Sequence, residues 1–387
     1  MESGQLRKLN LCYAGIQSLY WAGFAAIWAF LSVLLLYRGF SNSQIGTVSA
    51  LALLMPLAVQ PVLADRDRRF TSRRLAMALT GLLLLCAVGL WCSAGSMAVT
   101  AALYVLVGIS LTATAPLHSA MAMELQQHGV ALNYGLSRGL GSACYAASVL
   151  VLGVVVERYA PTAVLPVFAG EMLLLLLLTW RFRASPTAEA AAGSGPVLSV
   201  GQLLRRYPAY TWLLVGCALL MACHSATCTY MIHIVGKVGG SESMMGSALA
   251  VAAFLELPAM GLFSRVRRKV PLAWLLIFCA AFFVIRAGLF WAARSVPVLY
   301  LAAALDFFEY GIFIPATVYY VAEHIDPANQ VKGQSLMGMA TTGVGSAFGN
   351  FVSGQLLDRA GVSGMLLFCS ACAAVGLLVL IYAVRRK

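Results

Sequence analysis

Charge is what this sequence is shortest of: Asp, Glu, Lys and Arg make up 10% of its 387 residues, against about 25% in soluble globular domains. A chain this poor in charge and 61% hydrophobic cannot clothe a soluble surface. Its mean hydropathy of +0.86 makes it a polytopic membrane protein built of helices. Also missing are the phosphate-cradling GxxxxGK[ST] loop, the nucleophile elbow and the HExxH zinc helix, so ATP-driven transport and membrane hydrolysis lack their parts. The ten cysteines fall in or at the ends of apolar runs and read as small core residues rather than a disulfide framework. His224 and His233 stand nine apart and do not make a metal pair by spacing, so no metal is expected. The first span lacks a small-residue cleavage site after a short apolar core, so it is expected to be retained.

What is present is a series of apolar runs. Twelve spans are expected at about 10–36, 44–64, 75–93, 98–121, 138–156, 162–180, 210–234, 243–263, 272–292, 298–322, 335–357 and 363–383, each long enough to cross a bilayer. The net charge of +12 does not imply nucleic acid, because the cations sit in short loops between spans. One side holds some twenty of them, against Arg38, Arg158, Lys237, Arg294 and Arg359 on the other. That bias puts both termini in the cytoplasm of a multi-pass protein of the cytoplasmic (cell inner) membrane, surrounded by lipid.

The chain also repeats itself. Ser43–Gly46 (SQIG) recurs as Ser243–Gly246 (SMMG), and Pro116 with Glu124 recurs as Pro315 with Glu323, each offset by about 200 residues. A linker of Ala, Gly, Ser and Pro runs into a short basic stretch at Val200–Arg206. The expected organisation is therefore an N-terminal six-helix bundle (1–181), a cytoplasmic linker (182–208) and a C-terminal six-helix bundle (209–387). Repeats of this kind place a substrate site between the halves, near the midplane.

Four carboxylates and one guanidinium stand well inside spans. Asp306 and Glu309 lie in the tenth, Arg286 in the ninth, Glu256 in the eighth and Glu171 in the sixth. Intramembrane charges cost several kcal/mol and mark ion or substrate pathways. Asp306 and Glu309, three residues apart, are expected on one helical face, with Arg286 as partner. Three carboxylates facing one guanidinium leave about two negative charges uncompensated, and a low-dielectric site of that kind favours taking up a proton. Two readings follow: a proton-exchange site with Glu309 as carrier and Arg286 as its counter-ion, or a static buried ion pair that fixes helix packing. Glu171 is a secondary candidate with no cationic partner at its depth.

Polar and aromatic residues add to these. Gln17, Tyr20, Trp21, Phe24 and Trp28 form a stripe at helical spacing in the first span, either lining a cavity or serving as packing. Arg138 either binds substrate or snorkels to phosphate. Tyr145 lies two turns deeper on the same face and offers a ring for stacking. His118 beside Ser119 offers a donor to substrate or a packing contact, and Asn350 is a further cavity candidate.

The twelve spans, the paired halves and the basic loop PVLADRDRRFTSRR, with Asp65 and Arg66, resemble the major facilitator superfamily. NYGLSRGLGSACY, with Tyr134, Gly135, Arg138, Gly141 and Ser142, and the span beginning GQSLMGMATTGVG narrow the likeness to its lactose permease-like and phenylpropionate transporter-like branch. That resemblance implies alternating access by a monomer that binds a small-molecule substrate and uses the proton gradient, with no cofactor. It also implies a substrate-binding role for Arg138, with Tyr145 in the place of a Trp. Glu256, Arg286, Asp306 and Glu309 take the places of an acid, an Arg, a His and a Glu, and Asp65 with Arg66 those of a conformational loop. Two positions depart from the branch: Asp306 replaces the His, and Ser119 replaces a sugar-binding carboxylate. The expected function is proton-coupled symport of a sugar or oligosaccharide. Proton-driven efflux (antiport) of sugars or drugs, uptake of nucleosides or aromatic acids, and a non-transporting membrane sensor are the alternatives, although intact intramembrane charges argue against the last.

Overall fold

A computed structural model describes residues 3–67, 71–93, 95–127, 130, 132–182 and 198–385, and their side chains except those of 3–4, 60–67 and 126–127. Most of the expected linker, together with the side chains of Asp65 and Arg66, lies outside that set.

The described chain is helical throughout, with no strand. In order the helices are α1 (Ser3–Trp28), α2 (Leu31–Tyr37), α3 (Asn42–Asp67), α4 (Ser72–Cys92), α5 (Met97–Gln127), α6 (Tyr134–Arg158), α7 (Val164–Arg181) and α8 (Val200–Arg206). There follow α9 (Pro208–Thr229), α10 (Met231–Gly236), α11 (Glu242–Arg267), α12 (Leu272–Ala292), α13 (Val296–Ala304), α14 (Tyr310–His324), α15 (Gln330–Gly338) and α16 (Ser346–Arg385). Ten segments are long and apolar enough to span a bilayer, or eleven when α1 and α2, bent by 43°, count as one. The longest, Pro327–Arg385, runs to 59 residues and turns at Gly361, whose φ of 65° is a left-handed conformation that glycine adopts without Cβ strain. With that turn dividing it, the span series matches the twelve apolar runs.

Helices answer the bilayer's demand that backbone polar groups be satisfied within the chain. Lipid does not drive apolar helices together, so packing must hold them. The outward faces accordingly stay apolar and exposed, as at Leu85, Trp91, Val151, Trp180, Phe254 and Leu378. Cys369 and Cys372, a C-x-x-C spacing in α16, are both buried core residues.

Contacts group the chain into two compact units. Unit 1 comprises Met1–Phe40, Leu51–Glu189 and Glu242–Ala250. In it α1 packs against α6 and α7, and α4 against α5 and α7. Unit 2 comprises Ser41–Ala50, Ala190–Ser241 and Val251–Lys387. In it α16 packs against α9 and α12, and α14 against α12.

Two local irregularities shape unit 2. The tenth apolar run is not one helix: α13 ends in a 3-10 turn at Leu305–Phe307, and Glu309 caps α14 with φ −85° and ψ −95°. Between α15 and α16, Met339–Gly345 forms a π turn.

Candidate functional site

In unit 1 the aromatic stripe of α1 turns inward and becomes a polar-aromatic cluster. Tyr20 meets Trp21 edge-on at 5.2 Å, Trp21 meets Phe24 at 5.3 Å and Phe24 meets Trp28 at 6.0 Å. The Arg138 guanidinium lies 3.9 Å from the Trp21 ring centroid and donates to Ser142 Oγ at 2.8 Å. A cation over indole is attracted by the ring quadrupole, so the side chain turns to Trp21. Gly141 makes this possible, because a Cβ there would stand 2.6 Å from Trp21 Cδ1. Deeper polar groups are paired: Gln17 donates to the side chain of Tyr13 at 2.8 Å, while Tyr13 donates to the His118 carbonyl at 3.0 Å and Tyr20 to the Leu111 carbonyl at 2.9 Å.

His118 is fully buried on α5, two residues after Pro116, and meets the Tyr20 ring edge-on at 5.4 Å. Neither of its ring nitrogens has a hydrogen-bond partner among the described residues. Buried donors and acceptors are seldom left so, which makes His118 one of the open polar positions of unit 1 among the described residues. Ser119 shares a 3.1 Å hydrogen bond with Tyr134 Oη. Tyr145 is half-buried on α6. Glu171 on α7 leaves Oε2 buried with no partner among the described residues.

Unit 2 holds charges instead. Arg286 of α12, 2% exposed, places Nη1 2.9 Å from Asp306 Oδ1 and 3.0 Å from Glu309 Oε1, both carboxylates being 1% exposed. Its Nε donates to the Ala302 carbonyl at 3.2 Å. The two acids converge on one guanidinium although the run between them is not regular α-helix. The expectation of a continuous helical face there is thus corrected: a 3-10 turn carries Asp306, and Glu309 stands at the mouth of α14. Discontinuous helices of this kind build ion sites at bilayer depth. Glu256 on α11, two residues before Pro258, adjoins Asp306. Its backbone is close enough that a Cβ at Gly311 would lie 3.3 Å from Glu256 Cα.

Sequence reading missed His224 on α9. Spacing along the chain shows no acid near it, yet the fold sets its Nδ1 3.0 Å from Glu309 Oε1 and 3.8 Å from Asp306 Oδ1. Tyr310 stacks on the imidazole at 4.4 Å and 8°. The available signal was a titratable side chain inside an apolar span. Its partners came from another helix, which periodicity does not pair. His224, Asp306 and Glu309 have ligand atoms within 4.8 Å of one another, but Arg286 Nη1 lies among those same atoms, so the cationic place is taken by a guanidinium. At its far ends the cluster is incomplete: Arg286 Nη2 and Glu309 Oε2 are buried with no hydrogen-bond partner among the described residues. Asn350 is not with these groups. It donates to Ser49 Oγ at 2.7 Å, and its carbonyl accepts from Tyr230 Oη at 3.1 Å.

A helical membrane chain with a buried ionic cluster in one unit and a ring-lined polar cluster in the other has the parts of a solute carrier. The chain belongs to the MFS_1 like family. The family model matches residues 10–369. Among curated relatives, the maltose permease of Geobacillus stearothermophilus is 27% identical over 366 residues, covering 94% of this chain and 92% of the relative. The uncharacterized transporter YwbF of Bacillus subtilis is 21% identical, covering 97% and 94%. The nucleoside transporter NupG superposes with a TM-score of 0.80 at 16% identity, over 97% of this chain and 98% of that one. A bacterial homolog of the human lysosomal transporter Spinster gives 0.70 at 13%, over 99% and 96%. These structural likenesses show the fold. The protein is a multi-pass membrane transporter of the major facilitator type, and its relatives are transporters, not enzymes.

Proposed function

We propose that this transporter is a proton-coupled symporter of a sugar or oligosaccharide, working by alternating access as a monomer in the cytoplasmic membrane, with both termini in the cytoplasm. The carrying observation is the cluster Arg286–Asp306–Glu309–His224, in which two acids share one guanidinium nitrogen inside an apolar bundle. Such a cluster changes charge by binding a proton, and a buried change of charge shifts the balance between conformations. Glu309 is the carrier, because Oε1 pairs with Arg286 while Oε2 has no hydrogen-bond partner among the described residues. His224, 13% exposed against 1% for the acids, is the route by which a proton reaches it. The sugar reading draws on the maltose permease relative and on unit 1. There Trp21 and Phe24 supply ring faces, while Arg138 and the unpartnered nitrogens of His118 supply polar groups suited to hydroxyls.

The test is proton movement in proteoliposomes holding an internal pH dye, challenged with maltose and a panel of sugars and nucleosides. Wild-type protein should couple an internal pH change to one sugar class. Glu309→Gln should lose that coupling and uphill accumulation while retaining sugar exchange across the membrane. Normal accumulation by the variant would remove Glu309 from the role. A pH change of the opposite sign would make the protein an antiporter.

A further inference from the structure

His224 and Cys228 stand four residues apart on α9 and so share a face. Cys228 Sγ lies 3.7 Å from His224 Nε2, while the ring's other nitrogen lies 3.0 Å from Glu309 Oε1. Thiol, imidazole and carboxylate thus follow one another in the order by which a base takes a proton from sulfur and a third group orients the base. The charged neighbours of the ring lie at its Nδ1 edge: Glu309 at 3.0 Å, Asp306 at 3.8 Å and, in opposition, Arg286 Nη1 at 3.4 Å. Glu256 adjoins Asp306 and also faces His224 and Cys228. Tyr310, stacked at 4.4 Å, fixes the ring plane. Access exists too, since Cys228 is half-buried rather than sealed in the core. Cys92 is more exposed but has no such partner among the described residues.

We propose that Cys228 is a nucleophilic thiol and the site at which soft electrophiles of the activated-alkene class modify this transporter. The thiolate Sγ forms a bond to the β-carbon of the alkene. The carbon–carbon π bond breaks, its electron pair moves to the α-carbon, and that carbon takes the proton held on His224 Nε2. A thioether and a neutral imidazole remain, with no oxidant or reductant consumed. The added bulk lies against the ring that bonds Glu309, so one covalent event obstructs the ionic cluster.

The experiment is limiting N-ethylmaleimide on the full chain in detergent, with alkylation of each cysteine followed by peptide mass spectrometry. Cys228 is expected to react about tenfold faster than Cys92, and about tenfold slower than in wild type once His224→Gln removes the base. Cys92 serves as an internal reference whose rate stays constant. His224→Asn, smaller and also without a base, should behave as His224→Gln does, and a monodisperse elution profile for either variant reports an intact fold. Labelling that follows exposure, with Cys92 first, would overturn the assignment. So would a Cys228 rate indifferent to both substitutions. Because the readout is chemical labelling and not transport, its failure leaves the proton-coupling proposal standing.

Discussion

The two units bury polarity in opposite ways. In unit 1 the inward side of α1 is a run of rings, with the Arg138 guanidinium of α6 over the face of Trp21. In unit 2 the corresponding interior holds Asp306 and Glu309 within 3.0 Å of Arg286, and His224 3.0 Å from Glu309. A quadrupole contact is worth about 0.5–2 kcal/mol and survives replacement of either partner at modest cost. A buried ion pair is different, because removing one member strands the other charge. On the proposed function, recognition, which must tolerate a changing occupant, belongs to the aromatic unit, and energy coupling, which must respond sharply to one proton, belongs to the ionic unit.

The comparison can be broken first at its strongest point. Arg286→Met should cost about 3–5 kcal/mol, the toll of leaving buried acids unpaired, seen as a large fall in thermal midpoint in detergent. Adding Asp306→Asn and Glu309→Gln should restore most of that stability without restoring uphill transport. If Arg286→Met melted like wild type, the cluster would not be the energetic centre of unit 2. A middle-sized effect belongs to unit 1. Arg138→Ala or Trp21→Ala should cost about 1 kcal/mol of stability or less while weakening sugar binding in a titration, with the proton response of any bound sugar kept. Loss of proton coupling by either variant, at saturating sugar, would erase the division of labour.

The smallest expected effect lies at the helix ends. Asp358 accepts from the backbone nitrogens of Asn42 and Ser43 at 3.2 and 2.7 Å and from the Ser43 hydroxyl at 2.6 Å. In unit 1, Glu157 accepts from the Ser243 backbone nitrogen at 3.0 Å. Each acid caps the first turn of a helix. Asp358→Asn, which keeps an acceptor, should cost about 0.5 kcal/mol, and Asp358→Ala about 1 kcal/mol. Glu157→Ala should cost less than Asp358→Ala, because Asp358 alone holds both the backbone nitrogens and the side chains of Asn42 and Ser43. The reverse order in thermal melts would refute the reading of Asp358 as the better cap.

Much of this was legible in the chain itself. The spans, their halves and the five intramembrane charges declare themselves by hydropathy, and Arg286 was paired with Asp306 and Glu309 because few other partners were on offer. Gly141 and Arg138 were visible as a motif. What spacing does not reveal is proximity between helices that are distant in sequence: the pairing of His224 with Glu309 is invisible to it, and so is that of Asn350, polar and mid-span, with Ser49. The break at Leu305–Phe307 was also hidden. Leu305 and Phe307 are apolar and Asp306 stands where an unbroken helix would also carry it, so nothing in the pattern marks the turn.

The π turn at Met339–Gly345 sets the rotational phase of everything that follows it. Such a turn holds one residue more than the α ladder needs. Deleting one residue there would rewind the helix by about 100°. Asn350 would swing away from Ser49, and Asp358 from the first turn of α3, while the sequence of α16 stayed intact. Seven residues with no ionisable group among them thus decide which face of the helix up to the turn at Gly361 its neighbours meet.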